Sequence, residues 1–173
     1  MITTFLISNN AKRVYEAQVR LATGITEDTS NPAFSLEKSG SALKHEIEGK
    51  FRTMEENILS TPSLFLLGYK LMLHDLESKN NFRKLAPVQT VRTGEEIQVL
   101  KRNLKRKRDS LTSLSTGDDL EKKHLESMSL IEYDPESLRE RFEVRRLAGT
   151  DYIGITARFE DPELAAFAAN NLA

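Results

Sequence analysis

Residues 149–173 read GTDYIGITARFEDPELAAFAANNLA, a turn, a strand and a helix in succession. From Tyr152 to Phe159 the chain alternates. Ile153, Ile155, Ala157 and Phe159 point one way and Thr156 and Arg158 the other, the period of a strand with one buried face. Glu160-Asp161-Pro162-Glu163 then starts a helix rich in alanine, through Leu164, Ala165, Ala166, Phe167, Ala168 and Ala169. Such small side chains let a neighbour approach closely, within the domain or between subunits. Working upstream, Ala148-Gly149-Thr150-Asp151 is a turn and Phe142–Leu147 a second strand. Asp134-Pro135-Glu136 opens a short helix that runs to about Arg141.

A third strand lies far away in sequence. Over Val14–Thr23, Tyr15, Ala17, Val19 and Leu21 face one side and Glu16, Gln18 and Arg20 the other. It is expected to close the sheet by pairing with one of the C-terminal strands. Thr23–Phe34 is loop. Between these strands the period changes to that of helices. Leu43, Ile47, Phe51, Met54 and Ile58 make one apolar face over Ser41–Leu59. Ser60-Thr61-Pro62 breaks the chain, with Thr61 as N-cap of a helix to about Glu77. Ser78–Thr93 is polar and irregular.

Ile97, Leu100, Leu104, Leu111 and Leu114 then fall on a heptad seam, with Lys107 in one slot and Thr116-Gly117 as the stop. Asp118 or Asp119 caps a helix striped by Leu120, His124, Met128 and Ile131. The two form an antiparallel helical hairpin, inserted at about residues 95–132. The sum is an α+β fold: a small, mostly antiparallel sheet covered by helices, plus that hairpin.

Composition narrows the function classes. The chain has 173 residues, with 25 basic against 26 acidic side chains, so global charge favours neither nucleic acid nor an anionic membrane surface. There is no cysteine, which excludes disulfide scaffolds, thiol nucleophiles and thiolate metal sites. The apolar runs Met1–Ser8 and Ser63–Gly68 are far shorter than the roughly 20 residues that span a bilayer. Residues 1–13 place apolar residues before Lys12 and Arg13, the reverse of a signal peptide. They read as the end of a truncated membrane helix, a juxtamembrane segment, or a frayed edge strand.

Catalytic motifs are not found. His45, His74 and His124 sit on three different helices without ligand spacing. There is no GxSxG elbow, no GxGxxG and no Walker loop. Glu55-Glu56 and Asp118-Asp119 lie at helix surfaces or caps, without the apolar surroundings that raise a carboxyl pKa. No catalytic, metal-binding or cofactor-binding residue is assigned, and no cofactor. The strongest charge feature is the run Lys101, Arg102, Lys105, Arg106, Lys107 and Arg108. It is either a polyanion or nucleic-acid patch, or a solvated or inter-subunit salt-bridging helix face.

In order, these motifs resemble the polysaccharide co-polymerases of bacteria, the Wzz-type chain-length determinants and their exopolysaccharide-export relatives. Residues 14–26, VYEAQVRLATGIT, are similar to the first periplasmic strand of that family. Residues 46–76 are similar to its next two helices, with Ser60 between them. Residues 134–173 are similar to its helix, strand, strand and closing helix of the form DP-x-x-A-A-x-x-A-N. Thr23-Gly24-Ile25-Thr26 is most like the exopolysaccharide-export branch.

The resemblance implies an inner-membrane protein whose periplasmic domain lies between two membrane helices. It implies a non-enzymatic scaffold that assembles as a homo-oligomeric ring. Such scaffolds set the length or export of exopolysaccharide, O-antigen or capsule. Implied partners are a polysaccharide polymerase or outer-membrane export machinery, the polysaccharide itself, and in some members a cytoplasmic tyrosine kinase; nucleic acid is not expected. The chain departs from the family in lacking a complete membrane helix and a long extended helix. It is therefore expected to be the membrane-proximal base, over residues 14–173. The runner-up is a soluble helical nucleic-acid-binding or regulatory protein that uses residues 101–108.

Overall fold

A computed structural model describes residues 13–25 and 40–173. In chain order these form β1 (Tyr15–Ala22), α1 (Gly40–Ile58), α2 (Thr61–Glu77), α3 (Ala86–Val91), α4 (Gly94–Asp109) and α5 (Asp119–Ser129). Then come α6 (Pro135–Arg139), β2 (Phe142–Arg146), β3 (Tyr152–Phe159) and α7 (Pro162–Leu172). The stretch read as the end of a membrane helix lies outside the described residues except for Arg13. The same holds for residues 26–34 of the first loop and for the side chain of Leu43. No helix among the described residues is long and apolar enough to cross a membrane.

The sheet has the order β1-β3-β2, and both pairings are antiparallel. The strand with the clearest alternation is thus the central one. Val19, Ile155 and Val144 stand abreast across the three strands. Ile153, Ile155, Ala157 and Phe159 are fully buried, as their spacing requires. Thr156 was expected to face water, yet it is 4% exposed. Its neighbours across the ladder, Gln18 and Glu143, flank it on a face that helices leave open.

α7 lies on the inner face. Asp161 caps it by accepting from Leu164 N at 2.8 Å. Leu164, Ala165, Ala168 and Ala169 are buried against β1 and β3, so the alanine stripe serves a contact within the domain. α1 closes the far side of β2. Its Glu55 carboxylate accepts from the backbone N of Arg146 at 2.6 Å, and its Phe51 ring lies 4.1 Å beneath the Arg146 guanidinium. Full burial of Phe51 contributes on the order of 2–3 kcal/mol.

α2 is the central helix. It buries Leu64, Leu67, Leu71 and Met72 together with Phe65, Tyr69 and Leu73, so it is covered on more than one side. At Gly68 the turn after α5 packs directly on its backbone, since an added Cβ would lie 2.2 Å from the carbonyl oxygen of Tyr133.

Three local readings are corrected. The N-cap of α2 is Ser60, whose Oγ accepts from Ser63 N at 3.4 Å and lies 3.0 Å from Ser63 Oγ; Thr61 is already helical. The irregular stretch before Thr93 contains α3, started by Pro87 and anchored by buried Val88. The heptad seam is cut at Asp109. Leu111 turns into the left-handed region at φ 54°, and Thr112 N donates to Lys107 O at 3.0 Å, a Schellman-type close. Lys107 lies in the last turn of α4, and its Nζ reaches forward to Ser113 O at 3.1 Å and across to Glu121 at 2.6 Å, which holds the loop that follows. Leu111 is left 71% exposed, while Leu114 packs from the loop. α4 and α5 still run antiparallel as a hairpin, with Lys107 beside Glu121 and Asn103 beside His124.

Candidate functional site

The basic run lies on the last two turns of α4. That helix starts with Glu95 and Glu96, and Thr93 caps it through a capping box. Acidic residues thus stand at the positive end of the helix dipole and basic ones at the negative end, which stabilises the helix by itself. The structure divides the six residues among different directions. Lys101 and Lys105 both turn to Glu77 of α2, at 3.5 and 2.7 Å. Their hydrogen bonds and charge hold the Glu77 carboxyl below its usual pKa. Lys107 points to the opposite side, into Glu121 and Ser113. Arg108 folds onto its neighbour Asp109, with Nε 2.9 Å from Oδ1. Arg102 and Arg106, one turn apart, are exposed and make no ion pair among the described residues. The run is therefore mostly a set of clamps holding α4 to α2 and α5, with two outward arginines.

A second cluster was not found from the sequence. Asp75, in the last turns of α2, is fully buried. One carboxylate oxygen accepts from Phe82 N at 2.8 Å and from His74 Nδ1 at 3.2 Å. The other accepts from Arg83 N at 3.1 Å and from the Tyr133 hydroxyl at 2.7 Å. His74 stacks on Phe82 at 4.0 Å. Arg83 lies 5.5 Å over the Tyr133 ring and binds Glu132, which Arg141 also holds, at 2.7 and 2.8 Å. Glu132 itself sits at φ 54°, the last turn of α5 being closed by Tyr133 N to Met128 O at 2.9 Å. Burial, together with the hydrogen bond to Asp75, pushes the Tyr133 hydroxyl far above its ordinary pKa. Arg83 holds the Glu132 carboxyl below its own.

Four donors surround Asp75, so each of its lone-pair directions is taken. Tyr133 keeps its proton. The arrangement ties residues 82–83 and the end of α5 to α2; it leaves no oxygen open to a substrate or an ion. One signal could have found it: Leu71, Met72 and Asp75 share helical core spacing, so a carboxylate stands where a leucine is expected.

The chain matches no protein-family model, no curated protein and no solved structure.

The remaining features are shallow. A groove of about 660 Å³ runs beside Val91, Arg92, Lys122, Leu125 and Leu130. It continues past Leu125 and Ser129 into one of about 470 Å³ beside Phe65 and Arg139. Among the described residues no group of three or more histidine, aspartate or glutamate side chains is placed to hold a metal ion. Of the histidines, His45 is exposed and His74 belongs to the Asp75 junction. His124 is 4% exposed. Its Nε2 lies 3.0 Å from Asn103 Nδ2, which as an amide nitrogen can only donate. Burial and then Arg92 lower the pKa of the ring.

Proposed function

We propose that this chain is the membrane-proximal periplasmic base of a bacterial polysaccharide co-polymerase of the exopolysaccharide-export type. It acts by assembly and not by catalysis. It sits at the inner membrane, joins copies of itself in a ring, and meets a polysaccharide polymerase or export machinery. The observation that carries this reading is the pairing of residues 15–22 with 152–159, position for position, with α7 packed on both strands. Those are the two ends of the chain in which the resemblance resides, and the reading needed them in one body. The assigned contacts also suit a scaffold. Asp75 and the α4 basic run hold segments to one another.

The test is genetic. Deleting the gene in the source bacterium and sizing its exported polysaccharide on gels is expected to shift or broaden the chain-length distribution. An unchanged distribution and yield would remove the reading.

A second reading keeps one observation, the unpaired pair Arg102 and Arg106. As a nucleic-acid surface it is small. Two neutralised phosphates give a log–log salt slope of only about −2. Retention on a DNA column with a much steeper slope would move this reading to the front.

A further inference from the structure

The two edges of the sheet differ. Thr23 N donates to Asp151 O at 2.9 Å, one step beyond the Ala22–Tyr152 pair. Antiparallel ladders alternate, so the odd-numbered residues of β1 direct their backbone groups to β3. The N–H and C=O groups of Glu16, Gln18, Arg20 and Ala22 therefore point out of the sheet, and nothing among the described residues covers them. On the other edge the same parity, set by Leu147 N to Tyr152 O, turns Arg146 N outward. There Glu55 of α1 receives it. Phe142 and Val144 also turn backbone groups outward there, without a partner among the described residues, so the β2 edge is held at one point and the β1 edge at none. The β1 edge has eight residues, no proline and no bulge, and its charges, Glu16 and Arg20, are of opposite sign.

We propose that a second copy of this chain pairs with β1 along this edge, antiparallel, about a two-fold axis at Gln18. The charges select the register. Outward groups can meet only when even-numbered residues face even-numbered ones. Centring on Glu16 or on Arg20 sets like charges opposite each other, and centring on Ala17 or Val19 leaves Glu16 and Arg20 unmatched. Centring on Gln18 places Glu16 opposite the partner's Arg20, twice by symmetry, with Gln18 facing the partner's Gln18. On the buried side, Ala17 meets the partner's Val19 and Tyr15 meets the partner's Leu21. Arg20 makes no ion pair within its own chain among the described residues, while Glu16 binds Arg158 at 3.1 Å and so holds its carboxylate on this face. The product is a continuous six-stranded sheet whose outer edges are both β2, a five-residue strand with α1 packed beside it, and the two-fold closes the β1 contact at two copies. This contact follows from the strand edge alone and does not rest on the co-polymerase reading. A ring of equivalent copies is built on head-to-tail contacts, so this two-fold pair is a state of the chain outside such a ring and not a part of it.

The test uses the chain's lack of cysteine. At the axis the two Gln18 Cα atoms stand about 5.5 Å apart, within the disulfide range of roughly 4.4–6.8 Å. Gln18→Cys is expected to give a covalent dimer under mild oxidation. Arg20→Cys is not, because its own partner position lies four residues along the strand, about 13 Å away. Sedimentation of the unmodified chain from micromolar to sub-millimolar concentration is expected to show a monomer–dimer equilibrium. Gln18→Pro removes an outward N–H and leaves the bonds to β3 intact. It is expected to sediment as a monomer with an unchanged circular dichroism spectrum. Arg20→Glu should weaken dimerisation about tenfold.

A parent chain that stays monomeric, with Gln18→Cys remaining reduced, overturns the proposal and means that the edge is covered from within the chain or kept for a different strand. Cross-linking through Arg20→Cys and not Gln18→Cys overturns the register. Either result leaves the polysaccharide-length test unaffected.

Discussion

The two halves of this molecule keep their polar groups in opposite places. In the sheet and α7 the inner face is apolar, with Ile153, Ile155, Ala157, Phe159, Leu164 and three alanines, and Thr156 on the outer face is the one buried polar side chain among the described residues of these elements. Its charges, such as Arg158 between Glu16 and Glu143, lie outside in water. In the helical half the polar groups are inside: Asp75, His124, Ser127 and Asp134. A ladder pairs the backbone groups of a strand by itself. Helices end with unpaired N–H and C=O groups, and the short links between them need partners too. Asp75 supplies them to Phe82 and Arg83, and Asp134 caps α6 through Glu136 and Ser137. The helical half is therefore expected to fail when single polar atoms are lost, and the sheet half only when apolar volume is lost.

The largest effect should come from Asp75→Ala. It strands two backbone donors and a tyrosine hydroxyl in the interior, and should cost on the order of 3–5 kcal/mol in urea unfolding. A loss below about 1 kcal/mol would mean that water replaces the carboxylate and that the contrast is overstated.

The next test uses one substitution at two glycines. Gly68→Ala places a methyl against the Tyr133 carbonyl and Met128, and should destabilise by about 2 kcal/mol even after the gain in helix propensity. Gly49→Ala, on α1 with nothing within 4 Å, should stabilise by about 0.5–1 kcal/mol. The same sign at both sites would show that the turn after α5 is not seated on α2.

Acid separates His124 from the paired carboxylates by pH. His124 has a lowered pKa in the folded chain, so the unfolded chain takes up its proton first. Stability should then be constant above the ordinary histidine pKa of about 6.5 and fall as pH drops below it, by at most about 1.4 kcal/mol per pH unit for one proton. Glu121 and Glu132 also have lowered values, from Lys107 and Arg83, and their contribution is lost only below about pH 4.5. Chemical denaturation across pH 5–7 should therefore slope in the parent chain and lose most of that slope in His124→Gln. Equal slopes in both would remove His124 as the cause.

The smallest effect is expected at Leu111. It is exposed and held at φ 54°, a conformation that costs an L side chain roughly 1 kcal/mol. Leu111→Gly should raise stability by up to about 1 kcal/mol. A loss would mean that the leucine has an apolar partner outside the described residues.

These differences also explain what could be read in the chain. The sheet half was legible because each signal was local and redundant: alternation at 15–22 and 152–159, Asp-Pro at both helix starts, and Gly149 at φ 73° in the turn. The end of α4 was not. A leucine at the left-handed position carries no glycine signal, and the seam runs on past Lys107 as letters although the helix stops. Asp75 was hidden by the same limit. Its donors come from residues seven, eight and 58 positions away, and no spacing rule joins them. The basic run was visible, but its meaning depended on Glu77 and Glu121, which only packing brings near.

The closure of the sheet has a consequence for synthesis. Thr23 meets Asp151 across 128 residues and Glu16 meets Arg158 across 142. At about 5–20 residues per second, β1 leaves the ribosome on the order of ten seconds before its partner exists. Through that interval a strand with one apolar face and free backbone groups waits while the helices behind it emerge. The sheet therefore closes only after every helix from α1 to α6 has been made, and α7, which packs on both β1 and β3, arrives later still.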